Sequence, residues 1–131
     1  MGDGTEIGRV RGLGPAHGGE DSWMQQRMTA VGNLLLVGFL AISLILLPDL
    51  SYGSVKTWLS HPIPAMAMLL LVANVFWHAR LGIMELIGDY VHDEGNKFAC
   101  FLLVNFAWAG GTLFGLFSIL KVALQSSGGA A

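Results

Sequence analysis

The chain contains three long apolar stretches, and they constrain its fold more than any other feature. They run over residues 30–47, 63–87 and 98–120. A helix needs about 20 residues to cross the hydrocarbon core, and within lipid the backbone must satisfy its own hydrogen bonds. We therefore predict an all-α membrane protein with three transmembrane helices.

Composition supports lipid as the main solvent and excludes several classes of function. Of the 131 residues, 53% are hydrophobic and 12% are charged, whereas a soluble domain carries about 25% charged residues. The net charge of −2 and the lack of a basic run give no reason to expect nucleic acid as a partner. Cys100 is the single cysteine, which excludes a disulfide or a cysteine-based metal cluster within the chain.

The remaining segments predict a simple domain organisation. Residues 1–25 form a polar, Gly-rich N-terminal arm, residues 26–124 the anchor domain, and residues 125–131 a short tail. The arm lacks the apolar core of a signal peptide, and its acidic residues are not typical of a mitochondrial presequence. We expect a bacterial inner membrane, with the mitochondrial inner membrane as the alternative.

The distribution of positive charge predicts the orientation. Arg9, Arg11 and Arg27 precede the first apolar stretch, whereas the loop over 48–62 carries only Lys56. Positively charged residues favour the cytoplasmic side of membrane proteins. The N-terminus is therefore predicted to be cytoplasmic, and the turn between the second and third helices lies on the same side.

The second apolar stretch carries a polar stripe. At about 100° per residue, positions 78, 82, 85 and 89 fall within an arc of about 60°. The stripe consists of His78, Gly82, Glu85 and Asp89. An ionised side chain at the bilayer centre costs about 2.5–3.5 kcal/mol, so the stripe indicates a cofactor, a proton path or a water-filled site. Gly82 would let a planar macrocycle or a neighbouring helix approach.

Two interpretations of His78 remain open from the residues alone. It is either an axial ligand of a haem iron or a histidine hydrogen-bonded to a neighbouring helix. The other histidines, His17, His61 and His92, lie outside the apolar stretches. A six-coordinate haem would therefore need its second ligand from another chain.

Three further residues near the cytoplasmic boundary allow alternative interpretations. Asp89 and Tyr90 are either a quinone headgroup site or a solvated acid beside an aromatic membrane anchor. Arg27 either contacts lipid phosphate or pairs with a carboxylate such as a haem propionate. We interpret the segment from His92 to Asn96 as a solvated turn.

Other intramembrane residues predict packing. Small residues at four-residue spacing allow close helix contact, and buried amides bridge helices. The small residues are Ala107, Gly111 and Gly115, and the amides are Asn33, Asn74 and Asn105.

The second helix resembles the signature of the small hydrophobic anchor subunits of succinate dehydrogenase, respiratory complex II. In that family a histidine is followed after three residues by glycine and after six more by Asp-Tyr. Here the pattern is His78, Gly82 and Asp89-Tyr90, continuing into His92. The segment Arg27–Ala30 is similar to the family's Arg-x-Thr-Ala, whereas Gly88 replaces an acid frequent in relatives.

The resemblance implies a role for each matching residue. His78 would be one of two axial ligands of a b-type haem, packed between this chain and a partner anchor, the cytochrome b subunit. Tyr90 and Asp89 would bind ubiquinone, and Arg27 would lie near a haem propionate. The chain would hold the flavoprotein and iron–sulfur subunits on the membrane during electron transfer from succinate, without catalysing a reaction alone.

Three alternatives stay open. The first is the anchor of a quinol:fumarate reductase, and the second is a cofactor-free structural subunit whose stripe binds a partner helix. The third is a small proton-coupled transporter, which three spans without inverted repeats disfavour.

Overall fold

The computed structural model describes residues 17–127, with side chains over 21–125. Four helices occupy this range: α1 (His17–Leu46), α2 (Tyr52–Ser60), α3 (Pro62–Tyr90) and α4 (Glu94–Ser127). Three of them are long and apolar enough to span a membrane, over Asp21–Leu46, Pro62–Tyr90 and Glu94–Gln125. The prediction of an all-α membrane protein with three spans is confirmed, and each spanning helix is longer than its apolar stretch.

The first helix begins well before the apolar stretch. It starts at His17, inside the segment predicted as an N-terminal arm over 1–25. Residues 1–16 and 128–131 lie outside the described part of the chain, as do Arg9 and Arg11. The early start brings the polar turns around Ser22 and Gln26 onto the same helix as the first span.

The segment predicted as a loop over 48–62 contains α2, so that prediction was wrong. Ser51 caps the helix: its hydroxyl accepts from the backbone N–H of Ser54 at 3.3 Å. The backbone N–H of Ser51 donates to Asp49 at 2.9 Å. Hydrogen bonds from Ser51 and Ser54 lower the pKa of Asp49 from 3.8 to about 2. The sequence signal for α2 is weak, because it consists of a Ser cap ahead of a short polar helix in a segment bounded by two prolines.

The turn predicted from His92 to Asn96 is shorter than expected. The helix α4 begins at Glu94, which leaves residues 91–93 as the connection. The carboxylate of Asp93 accepts from the backbone N–H of Asn96 at 2.8 Å and caps the helix. Capping by Asp93 draws Gly95 and Asn96 into the first turn despite their turn-forming composition.

The helix α3 is the middle member of the bundle. It packs against α1 on one side and α4 on the other, while α2 contacts α3 and α4. Within the described range no contact joins α1 directly to α4. The most buried apolar side chains, Leu71 at 8% and Leu81 at 9% exposed, both belong to α3. The outer faces of α1 and α4 are left for lipid or partner helices.

Small residues bring α4 close to α3. A Cβ added at Gly115 would lie 2.8 Å from Val72 Cγ1, and one at Gly111 would overlap the Phe76 ring. Contacts this short require glycine, so the two helices approach at these positions. The packing role predicted for the small residues of the third span is confirmed.

Candidate functional site

A row of polar contacts joins α1 to α3, and we call it the polar seam. Its α1 members are Ser22, Gln26, Thr29 and Asn33, and its α3 members are Asn74, His78, Gly82 and Glu85. The members recur at intervals of three or four residues on both helices, as expected for one face of each. The two faces run antiparallel, so Ser22 meets Glu85 at one end and Asn33 meets Asn74 at the other.

His78 lies in the interior of the seam and is half-buried. Its Nδ1 is 2.9 Å from Thr29 Oγ1. Within the described residues, Nε2 makes no hydrogen bond. One ring nitrogen is therefore held by α1, while the other keeps its bonding capacity.

Asn74 fastens the helices one turn away from His78. Its side-chain amide donates to the Thr29 carbonyl oxygen at 2.7 Å and to Asn33 Oδ1 at 2.8 Å. Gly32 makes this approach possible, because a Cβ there would lie 2.8 Å from Asn74 Nδ2. The predicted bridging role of Asn33 and Asn74 is confirmed.

The predicted stripe faces α1 over most of its length. Ser22 donates to Glu85 Oε1 at 2.8 Å. A Cβ on Gly82 would lie 3.3 Å from Gln26 Nε2, so the group beside this glycine is a helix. Gln26 Oε1 is buried without a hydrogen-bond partner in the described part of the chain. Of the two occupants considered for the space at Gly82, the structure places the neighbouring helix there.

Asp89 and Tyr90 lie at the C-terminal end of α3, beyond the seam. Both are exposed, and 78% of the Tyr90 surface is accessible. His92 Nδ1 lies 3.2 Å from the Tyr90 carbonyl oxygen. The phenol and the carboxylate thus project from the helix terminus, where a ligand or a partner subunit can reach them.

Arg27 lies on α1 next to the seam but points away from it. Its guanidinium carbon stacks 4.2 Å from the centre of the Trp23 ring, one turn earlier. Both side chains are exposed. This stacking orients the guanidinium and leaves its edge N–H groups available to an acceptor.

A second ionisable group of α3 faces α4 instead. Arg80 donates through Nε to Asn105 Oδ1 at 2.9 Å. Its guanidinium carbon also lies 5.5 Å and 5.2 Å from the ring centres of Trp77 and Trp108. The bridging role predicted for Asn105 is confirmed, and α3 therefore presents its ionisable groups to two different neighbours.

Sequence reasoning missed Ser22, Gln26 and Thr29 as partners of the stripe. The apolar stretch begins at residue 30, so these three residues precede it in the sequence. A signal was present: positions 22, 26, 29 and 33 have the spacing of one helix face, complementary to the stripe. The pairing itself depends on how the two helices are rotated and offset.

The fold and the seam define a multi-pass helical membrane protein with a polar cluster between its spans. The family model described as succinate dehydrogenase/fumarate reductase transmembrane subunit matches residues 1–122. The chain belongs to this family.

Two relatives agree with the family. A succinate dehydrogenase hydrophobic membrane anchor subunit from Coxiella burnetii is 30% identical over 97 residues, which cover 70% of this chain and 84% of that protein. A protein of the same description from Rickettsia bellii is 31% identical over 88 residues, which cover 66% of this chain and 70% of that protein. No solved structure matches the chain.

Proposed function

We propose that this chain is the hydrophobic membrane anchor subunit of a succinate dehydrogenase and contributes to binding haem b and ubiquinone. The observation that carries the proposal is His78, a half-buried histidine held by α1 within a membrane-spanning helix and followed on α3 by exposed Asp89 and Tyr90. The names of both relatives support the assignment to succinate dehydrogenase.

The residues around His78 fit a haem ligand. Histidine binds iron through a neutral imidazole nitrogen, and protein ligands of this kind engage their other nitrogen in a hydrogen bond. Thr29 satisfies that second requirement at Nδ1, and Nε2 has no competing partner among the described residues. Haem, when bound, supplies one-electron redox chemistry. His78 would hold its iron together with a residue of the partner anchor subunit.

Arg27 would assist at the periphery of the haem. Its stacking on Trp23 fixes the side chain while its N–H groups stay exposed. A planar guanidinium suits bidentate contact with a carboxylate such as a propionate.

Asp89 and Tyr90 would contribute to the ubiquinone site. Reduction of a quinone takes up two protons, so its site belongs near an aqueous face. A phenol donates a hydrogen bond to a quinone carbonyl, and the neighbouring carboxylate relays protons. The exposure of both groups at the end of α3 suits this role, with the iron–sulfur subunit and the partner anchor completing the pocket.

In the proposed complex this chain anchors the soluble subunits. The flavoprotein subunit oxidises succinate, the iron–sulfur subunit carries the electrons to ubiquinone, and this chain with the cytochrome b subunit binds both to a bacterial inner membrane. The exposed faces of α1 and α4 are suited to lipid and to the partner anchor.

The proposal is tested by a dithionite-reduced minus oxidised spectrum of the complex purified in mild detergent. We expect a b-type α-band that His78→Ala abolishes or shifts. His61→Ala is the matched control, because His61 is exposed at the other end of α3 and its side chain caps nothing. A normal band in His78→Ala would remove the haem assignment.

A second measurement addresses the anchor role itself. Flavoprotein and iron–sulfur subunits should co-purify with the tagged chain, and turnover should be faster with succinate and ubiquinone than with quinol and fumarate. Faster fumarate reduction would instead favour a quinol:fumarate reductase, which the same family description covers.

A further inference from the structure

The Thr29 hydroxyl has three hydrogen-bond contacts but only one proton to donate. Its Oγ1 lies 2.8 Å from the Gln25 carbonyl oxygen, 3.1 Å from the Gln26 carbonyl oxygen and 2.9 Å from His78 Nδ1. A hydroxyl supplies one proton and two acceptor lone pairs, whereas a carbonyl oxygen only accepts. The 2.8 Å contact with the Gln25 carbonyl oxygen is a hydrogen bond only if the hydroxyl proton lies between the two oxygens, as is usual for threonine within a helix.

This hydrogen-bond arrangement determines the tautomer of His78. With the hydroxyl proton directed at the α1 backbone, a lone pair of Thr29 Oγ1 faces His78. The imidazole must then donate its proton from Nδ1, which leaves Nε2 unprotonated. The alternative tautomer would place two acceptors 2.8 Å apart at Gln25 without a proton between them.

We propose that Thr29 is the positioning residue of the haem ligand: it selects the Nδ1–H tautomer of His78, fixes the ring orientation and presents Nε2 to the iron. The inference rests on the proposed function, since it requires that His78 binds haem. Thr29 itself would touch no cofactor and would act through the imidazole.

The surroundings of Thr29 make it suited to this task. Asn74 donates to the Thr29 backbone carbonyl oxygen at 2.7 Å and is itself fixed by Asn33. Gly32 lets Asn74 come this close. The backbone of Thr29 is thus held by α3 and its hydroxyl by the carbonyl oxygens of α1, so the acceptor offered to His78 is fixed before any ligand binds.

A hydrogen bond donated by Nδ1 changes the redox potential of a haem whose iron the histidine binds. It increases the electron donation of the imidazole and stabilises the ferric state. Removing the acceptor should therefore raise the midpoint potential of the haem. It should also free the ring to rotate, which alters the largest g-value of the oxidised haem in its electron paramagnetic resonance spectrum.

The test compares Thr29→Val with Thr29→Ser in the intact complex. Valine keeps the shape and removes the hydroxyl, and serine keeps the hydroxyl. We expect Thr29→Val to give a more positive midpoint potential and a changed g-value, whereas Thr29→Ser stays close to the wild type. Thr112→Val is the matched control, because Thr112 Oγ1 is buried in α4 without a partner in the described part of the chain.

The outcomes separate this inference from the proposed function. If His78→Ala loses the haem while Thr29→Val keeps the wild-type potential and g-value, Thr29 is not the positioning residue but His78 is still the ligand. If Thr29→Ser shifts as far as Thr29→Val, packing rather than the hydroxyl is responsible and the inference fails. If His78→Ala keeps its haem, the proposed function fails first.

A third variant covers the case in which Thr29→Val does not assemble. Thr29→Cys keeps a group of similar size with a weaker acceptor. It should shift the potential in the same direction by a smaller amount, and a wild-type potential in this variant would overturn the proposal.

Discussion

His78 and Tyr90 belong to the same helix, but their surroundings differ in kind. His78 is half-buried and bonded to α1, whereas Tyr90 is 78% exposed at the helix end, about 18 Å away at 1.5 Å per residue. The seam fixes the histidine within this chain alone. In the proposed complex, other subunits complete the environment of the tyrosine, so substitutions at the two residues should separate haem binding from quinone reduction.

Tyr90→Phe should lower ubiquinone reductase activity about two- to twelvefold, because one hydrogen bond to a carbonyl contributes about 0.5–1.5 kcal/mol. Succinate oxidation with a water-soluble artificial acceptor and the haem spectrum should stay unchanged. Tyr52→Phe is the matched control, since Tyr52 is 75% exposed on α2. Equal ubiquinone rates in the two variants would remove Tyr90 from the quinone site.

At the scale of the helices, the two interfaces of α3 are built from different chemistry. The contact with α1 is a row of hydrogen bonds that includes Thr29 with His78 and Asn33 with Asn74.

The contact with α4 depends on Gly111 and Gly115, and Arg80 adds a hydrogen bond to Asn105. Within lipid, helix association depends on close packing and interhelical hydrogen bonds. Loss of a small residue should therefore disturb the α3–α4 contact directly.

Two adjacent glycines of α4 provide a test of that packing. A Cβ at Gly111 would overlap Phe76, whereas one at Gly110 would meet nothing within 4 Å. Gly111→Val should destabilise the complex by about 1–3 kcal/mol through overpacking, and Gly110→Val should have little effect. Thermal unfolding of the detergent-solubilised complex measures the difference. Equal unfolding temperatures would show that α4 does not approach α3 at Gly111.

At the scale of the whole molecule, the three spans form a layer with α3 in the middle. The connections between the spans lie at opposite ends of the bundle. The turn over 91–93 is at one end, and α2 with its flanking loops is at the other. Arg27 lies near the N-terminal end of the first span, and Arg80 and Lys97 lie toward the side of the turn. Positively charged residues on that side predict that it faces the cytoplasm.

Cysteine labelling tests this orientation. In a Cys100→Ala background, Glu94→Cys and Thr57→Cys introduce exposed thiols at opposite ends of the bundle. A membrane-impermeant maleimide should label the first in inside-out vesicles and the second in right-side-out vesicles. The reverse pattern would invert the topology and place Asp89 and Tyr90 on the outer face, where the proposed arrangement of soluble subunits is impossible.

The sequence by itself determined the three spans, because in lipid an apolar stretch of sufficient length has no alternative to a helix. It also determined which residues of α3 share a face, because helical periodicity fixes His78, Gly82 and Glu85 on one side. The approach of small residues and bridging by amides followed from the same physics. The sequence did not predict α2, because its cap at Ser51 is a local signal within a polar segment.

The tertiary structure alone decided what the stripe contacts. Which residue of α1 meets His78 depends on the rotation of each helix and on their offset along the membrane normal, and hydropathy carries neither quantity. The same holds for Arg80, whose pairing with Asn105 requires α4 at a particular height. The residue types needed for the site can be identified from the sequence, but Thr29 became part of it only when packing brought its hydroxyl within 2.9 Å of the imidazole.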